Sequence, residues 1–563
     1  MQPVQPSSEK FCSADFQVCC IAGFQTCATH DDVQPADLEI GDTAGLETCA
    51  TTSLTVQTAH HAPIPGWGRL VPTCNLFRGQ AGVHALACPP LMFSRSHALT
   101  LFLMALLLAA SGAFAQSPAP VTLSINTQNP GYQIPDDFTG VSIFTETQKL
   151  DHRGAHGNLF SPSNTQLITL FKNSGIHHLR LGATGSSKSA SPNLDTADID
   201  SLFAFAKTTD IKVIYSLHAH DSAITAKYVW DHYRPWLDCF AFDNEPDNRA
   251  IGGGGSGAAA GNFDGFMAQW NSIARGVMAA APGAMFTGPD AAGRQLSPRF
   301  ANAEKNAGTL AFVTQHTYIG GNPRKHNVDR QHAIDSMLSA AWDANNYPAL
   351  DRQVVLPVMK DGFLVRLTES DDYTHGVSGA SDAFAAALWA LDYAHWWAEH
   401  NARGINFQNT EWLTTDTFHP DSTGNYQINP KAYGIKAFDL GGHGRVEPAD
   451  LGNPNNLDLT AYSVGTTTEL YVTIINKEHG PGARAATVSI RPKGFAMGDV
   501  ETMSLQAPGG DVGATSGITL GGAPIVNNAP WHGQWAAIDP AEDAPCVVTV
   551  PPASALVIKI ERQ

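Results

Sequence analysis

Eight short apolar runs, each followed by enough chain for a helix, recur between residues 140 and 411, and this rhythm restricts the fold more than any other feature. The runs are Gly140–Phe144, IHHLRLGA (176–183), KVIYSLHA (212–219), CFAFDNE (239–245), MFTGPDA (285–291), LAFVTQHTY (310–318), LVRLTE (364–369) and GINFQNTE (404–411). Helical patterns separate them, among them 165–173, 199–207, 263–280, 334–345 and 383–400. Strand-length runs alternating with helix-length segments favour parallel strands joined by helical crossovers, and eight such units predict a (β/α)8 TIM barrel over 136–440. An open doubly wound sheet is the competitor. No G-x-G-x-x-G follows a first strand, however, and the glycine-rich IGGGGSGAAAG (251–261) comes after strand four, where it reads as a loop.

From about Arg445 the pattern changes to short alternating strands with Gly, Pro and Asn turns: LDLTAYSV (457–464), ELYVTIIN (469–476), ATVSIRP (486–492) and ALVIKIE (555–561). These predict an attached antiparallel β-sandwich formed by 441–563, with 121–135 expected to join it.

The segment 92–116, MFSRSHALTLFLMALLLAASGAFAQ, has the order of a secretory signal peptide: Arg95, an apolar stretch from Ala98 to Ala110, then Ala113-Phe114-Ala115 before Gln116. The apolar stretch of about thirteen residues falls short of the roughly twenty that span a bilayer. The expectation is therefore a signal peptide over 92–115, cleavage after Ala115, a secreted or periplasmic protein, and no stable membrane span. Residues 1–91 then read as a non-native upstream extension from a misassigned start. Seven of the nine cysteines lie there, without a paired C-x2-C framework, and only Cys239 and Cys546 follow Met92.

At 563 residues, the chain has material for more than one core. Lys and Arg total 34 against 52 Asp and Glu, a balance that argues against a nucleic-acid partner.

Two of the eight runs end in a glutamate, Glu245 in FAFDNEPDN and Glu369 in LVRLTESDDY. In a (β/α)8 barrel the C-terminal strand ends line the active-site mouth, so strands four and seven deliver both carboxyl groups to one cavity. Hydrolysis of a glycosidic bond needs such a pair, one to protonate the leaving oxygen and one to attack or stabilise the anomeric carbon. Arg180, ending strand two, and Tyr318, ending strand six, are placed either to support Glu369 or to brace the rim. Asn244 is placed to contact the sugar hydroxyl beside the anomeric carbon.

Two other functions fit parts of the sequence. A metal hydrolase would draw on His177, His178, His218, His220 and His316, but no H-E-x-x-H or cysteine set accompanies them, and His218 reads as a substrate contact instead. Neither a metal nor another cofactor is expected. A non-catalytic sugar binder would use Trp230, Trp236, Trp389, Trp396, Trp397 and Trp412; the three in the 383–400 helix read as core, and Trp412 as the cleft candidate.

DNEPD (243–247), RLTES (366–370) and GVSGASDAFAAALWALDYAHWWAEHNARGINFQ (376–408) resemble glycoside hydrolase family 79, the β-glucuronidase and heparanase family of the retaining clan A. The resemblance implies a catalytic (β/α)8 barrel with a β-sandwich, Glu245 as acid/base and Glu369 as nucleophile. It also implies a secreted retaining β-glycosidase acting on uronic-acid-containing glycosides, oligosaccharides or polysaccharides. The family contacts the uronate partly through a loop after the nucleophile, here SDDYTHGVSG (370–379), which nominates the Tyr373 hydroxyl and the Gly376 N–H. Asp371 and Asp372 would repel a uronate if they faced it, which leaves a neutral β-glycoside as the alternative. The sugar, the choice between exo and endo cleavage and the oligomeric state are not encoded in these motifs.

Overall fold

A computed structural model describes residues 119–144, 148, 158–182, 194–217, 222–248, 262–410, 413–538 and 545–563. The signal peptide, the upstream cysteines, His218, His220 and Trp412 lie outside the described residues.

The first strand, β1 (Ala119–Asn126), precedes a closed barrel of eight parallel strands: β2 (Thr139–Phe144), β3 (His178–Gly182), β4 (Lys212–Leu217), β5 (Leu237–Phe242), β6 (Phe286–Ala291), β7 (Leu310–Tyr318), β8 (Val365–Asp371) and β9 (Gly404–Gln408). Each strand pairs with its sequence neighbour, and β9 closes on β2 with Gly140 opposite Asn406. The barrel strands are buried on both faces because helices cover the outside, which is why they read as continuous apolar runs. One of these helices, Phe384–Glu399, is buried from Phe384 through Ala398. An all-round apolar helix needs cover on every side, and here the helix Lys431–Gly441 and the following sheet complete it. Trp389, Trp396 and Trp397 belong to this core, with Trp389 stacked on Tyr393 at 5.0 Å.

Beyond the barrel, two sheets face each other. The smaller has the order 449–452, β1, 486–493, 546–550, with β1 antiparallel to the first and parallel to the second. Val121, Leu123 and Ile125 point inward while Thr122 and Ser124 are exposed, the period-two pattern of a half-buried strand. They meet Leu470, Val472, Ile474, Ile558 and Ile560 of the larger sheet in one apolar core. The larger sheet's other face packs on the barrel helices through Tyr462, Val464, Ile475 and Val557.

A buried polar group ties the two units together. Lys477 Nζ of the sandwich pairs with Asp343 and lies 3.3 Å from Asp392 Oδ2, while Thr460 and Tyr462 donate to Asp392 Oδ1 at 2.5 and 2.9 Å. Among the described residues, no helix is long and apolar enough to cross a membrane.

Candidate active site

The two glutamates reach one cavity by different local devices. Glu245 lies three residues beyond β5 and takes a left-handed backbone, φ 47°, as does Asp243 at 67°. A non-glycine residue there is strained, and such strain persists only where surrounding bonds hold it. The Glu245 N–H donates to the Asp290 carbonyl at 2.9 Å, which fixes the turn against β6.

Glu369 lies inside β8 and is aimed by a bulge. The register against β7 runs Gln315 opposite Leu367 and then His316 opposite Glu369, so Thr368 is the extra residue. A regular strand would send residues 366 and 369 to opposite faces; the bulge re-aims the chain so that Thr368 and Glu369 both serve the cavity. Arg366 is inward as well but works at the opposite end, bonding Asn406 Oδ1 at 2.6 Å and the Asp137 carbonyl at 2.8 Å.

An oxygen of Glu245, one of Glu369 and a ring nitrogen of His316 all lie within 4.8 Å of one another. Both carboxyl groups are buried. Glu369 is held on each oxygen: Tyr318 Oη donates to Oε1 at 2.8 Å and Arg180 Nη1 to Oε2 at 3.3 Å. Burial, then the Glu369 charge, keeps the Tyr318 hydroxyl far above its usual range, so it stays a donor. Arg180 is fully enclosed and branches further, to Ser142 Oγ at 2.9 Å, Asn244 Oδ1 at 2.7 Å and Asp290 Oδ2 at 2.9 Å. Asn244 Nδ2 is buried without a partner, a donor aimed at nothing in the protein.

Glu245 has different surroundings. His316 Nδ1 stands 2.9 Å from Oε1, and Asn248 Nδ2 donates to Oε2 at 3.1 Å. Burial is the largest influence and raises its carboxyl above the ordinary value; the contacts with His316 oppose this, and the charge of Glu369 adds to it. Burial alone would lower His316, but the carboxylates of Glu369, Asp290 and Glu245 around it outweigh that and lift it to about 9. At neutral pH the ring is therefore an imidazolium.

Among the residues nominated from sequence, the structure brings together Arg180, Asn244, Glu245, Tyr318 and Glu369. Tyr373 goes elsewhere: its ring packs on Trp342 at 5.6 Å and beneath Gly320, and its hydroxyl engages Ser336, so core packing claims the side chain that was expected to meet a uronate. Gly376 has φ 77°, and its N–H, nominated to meet the uronate, donates to the Tyr373 carbonyl at 3.0 Å to close a turn. Asp371 and Asp372 are turned into the protein. Asp371 is paired with buried Lys431, and Asp372 Oδ1 accepts from Thr415 Oγ1 at 2.8 Å.

Sequence reasoning missed Asp290, Ser142, Thr368 and Asn248, and considered His316 only as a metal ligand. His316 and Tyr318 two residues apart at the end of a strand was the available signal. For Asp290, the GPDA run reads simply as strand, and nothing in it announces a buried acid.

Among the described residues, three groups of His and acidic side chains have ligand atoms close enough for a metal ion. In Glu245, His316 and Glu369, the His316 ring pairs with Glu245 at 2.9 Å and Arg180 with Glu369 at 3.3 Å. Asp137, His178 and Asp238 sit against Arg366 and Arg403. In the third group, His177, His443 and Lys436 already occupy Asp439 at 2.6, 3.0 and 2.7 Å. Each group holds ion pairs within the protein.

Comparison with protein-family models and with curated proteins finds no match. Solved structures do match over most of the chain. A 4-O-alpha-L-rhamnosyl-beta-D-glucuronidase from Fusarium oxysporum is 15% identical, with 77% of this chain and 99% of that one covered and a TM-score of 0.59. AbfB, a family 51 alpha-L-arabinofuranosidase from Bifidobacterium longum, is 12% identical over 79% of this chain and 100% of that one, TM-score 0.57. A monomeric beta-xylosidase from Caulobacter crescentus is 14% identical over 78% and 99%, TM-score 0.51. At these identities the likeness shows a shared fold.

Proposed function

We propose that this protein is a retaining β-glycosidase in which Glu369 is the nucleophile and Glu245 the general acid and base. The carrying observation is the carboxylate pair, with an oxygen of each within 4.8 Å on strands four and seven of the barrel. Retaining pairs stand about 5 Å apart, while inverting pairs leave roughly 6.5–9.5 Å for a water molecule.

The surroundings divide the roles. Glu369, with a hydrogen bond to each oxygen from Tyr318 and Arg180, is oriented for attack, and burial raises Glu245 in the direction that suits the group giving a proton to the leaving oxygen. In the first step Glu369 bonds the anomeric carbon as the glycosidic C–O bond breaks and the Glu245 proton passes to the leaving oxygen. In the second, Glu245 takes a proton from water, the water oxygen bonds the anomeric carbon, and Glu369 departs. The free Asn244 donor suits the hydroxyl next to the anomeric carbon, a contact that strengthens as the oxocarbenium-like transition state forms. Two facing carboxyl groups with different partners, Tyr318 and Arg180 on one and His316 and Asn248 on the other, also favour catalysis over mere sugar binding.

A β-glucuronide or related uronic-acid glycoside is the preferred substrate. Asp371 and Asp372, the sequence's objection to a uronate, are occupied by Lys431 and Thr415. The likeness to a solved glucuronidase agrees. A neutral sugar is the second reading, favoured by the withdrawal of Tyr373 into the core. The signal-peptide pattern at 92–115 supports export as the setting for either substrate. A panel of nitrophenyl β-glycosides tests the assignment: hydrolysis of the glucuronide alone supports the uronate, preference for a neutral pyranoside or pentoside supports the second reading, and hydrolysis of none overturns the function.

A further inference from the structure

We infer that Asp290 is a positioning residue that sets how many protons this site holds, anchoring Arg180 and His316 as cations so that Glu245 is the one carboxyl group kept neutral. This rests on the glycosidase reading for its consequence in catalysis, but its structural claim stands separately.

Asp290 is buried at the end of β6, with φ 54°, and every polar atom on it is used. Its N–H donates to Thr314 Oγ1 at 2.8 Å and its carbonyl accepts the Glu245 N–H at 2.9 Å. Oδ2 takes Arg180 Nε at 3.2 Å and Nη2 at 2.9 Å; Oδ1 takes Thr368 Oγ1 at 2.5 Å and faces His316 Nε2 at 3.5 Å. It therefore joins the strand behind the acid/base, the strand before the nucleophile and both site cations. No side-chain contact runs from Asp290 to either catalytic glutamate.

Charge counting gives the consequence. Among the described residues, the charged and titratable groups facing one another in this cavity are Arg180 and His316, both cationic, Asp290, Glu245 and Glu369, and Tyr318, whose hydroxyl is held far above its usual range and is uncharged. With Asp290 and Glu369 ionised, two negative charges balance two positive ones, and the site is neutral only while Glu245 carries its proton. Burial opposes ionisation of Asp290, but the Arg180 guanidinium and the His316 ring outweigh it and hold the carboxyl well below its usual range. Without that charge the site regains neutrality by releasing one proton, and His316, which loses the anion facing its Nε2, is the group that releases it; Glu245 keeps its proton but no longer has a cation beside it.

The isosteric Asp290→Asn tests this. The expected result is an alkaline limb of the kcat/KM profile displaced upward by about one pH unit, because Glu245 loses the cation beside it, with kcat lowered at neutral pH and KM changed much less. Asp290→Glu, which keeps the charge, returns the limb toward the wild-type position. Independently of turnover, nitrogen NMR of the His316 ring, assigned by its loss in His316→Gln, shows wild-type His316 protonated at pH 7.5 and neutral in Asp290→Asn. A folded Asn variant with the limb and the ring titration unmoved overturns the inference, as does wild-type His316 found neutral at pH 7, a result that stands even if the Asn variant does not fold. If no glycoside is hydrolysed, the proposed function falls while the NMR comparison still decides the role of Asp290.

Discussion

Tyr318→Phe removes a single oxygen from the site and leaves the ring in place. The lost interaction is the 2.8 Å hydrogen bond to Glu369 Oε1, one of the two that orient this carboxylate. A hydrogen bond to a charged group contributes about 1.5–3 kcal/mol, and because Tyr318 is half-buried at the rim, the lower part of that range applies, about 1.5–2 kcal/mol. At 1.36 kcal/mol per tenfold change, kcat/KM should fall about 10- to 30-fold. The Arg180 contact remains, so Glu369 keeps its cation. Folding stability should fall by about 1–3 kcal/mol, since the substitution leaves one oxygen of a buried carboxylate without its donor. The assay is steady-state hydrolysis of the preferred nitrophenyl glycoside beside a thermal melt. Unchanged kcat/KM in the Phe variant, or a loss matched by an equal loss of fold, would refute the idea that Tyr318 orients the nucleophile.

Other expectations follow from the same geometry. Glu245→Ala should cut turnover of poorly activated glycosides by about 100-fold or more while sparing dinitrophenyl glycosides, whose leaving group needs no proton; equal losses for both would remove Glu245 as the acid. Because burial raises the Glu245 carboxyl, activity should persist to higher pH than an ordinary glutamate allows and fall as that proton is lost, which a kcat/KM profile checks. His316 contributes in the same direction to stability: its pKa is higher folded than unfolded, so its contribution is complete below about pH 6.5 and is lost as pH rises through about 9. Urea melts across that window should show the loss in the wild type and a smaller one in His316→Gln. Lys477→Ala leaves Asp392 and Asp343 without their shared cation in a buried setting, which should cost about 3–5 kcal/mol in denaturant unfolding.

The barrel was legible because parallel strands buried on both faces leave continuous apolar runs, and helices of fixed reach must separate them. All eight runs became barrel strands. Glu245 and Glu369 were legible for a related reason: acids at the ends of two such runs are delivered to the same barrel mouth. What joins them was not. The bulge at Thr368 arises from pairing with β7, and an isolated reading of LVRLTES gives Arg366 and Glu369 opposite faces. The left-handed turns at Asp243, Glu245 and Asp290 carry no glycine to mark them. Asp371 and Asp372 looked like charges in a loop, and only the Lys431 side chain, about sixty residues later in the chain, shows that one of them is neutralised inside the protein. Tyr373 shows the converse, an aromatic hydroxyl placed beside the nucleophile in sequence but taken by packing against Trp342.

The central claim is a covalent bond between the sugar and Glu369. A 2-deoxy-2-fluoro glycoside with a good leaving group slows release of that intermediate enough for peptide mass spectrometry. One sugar per chain is expected, attached to the peptide containing Glu369 and absent in Glu369→Ala. A sugar attached to another residue, or turnover of the substrate with inversion and no adduct, would contradict it.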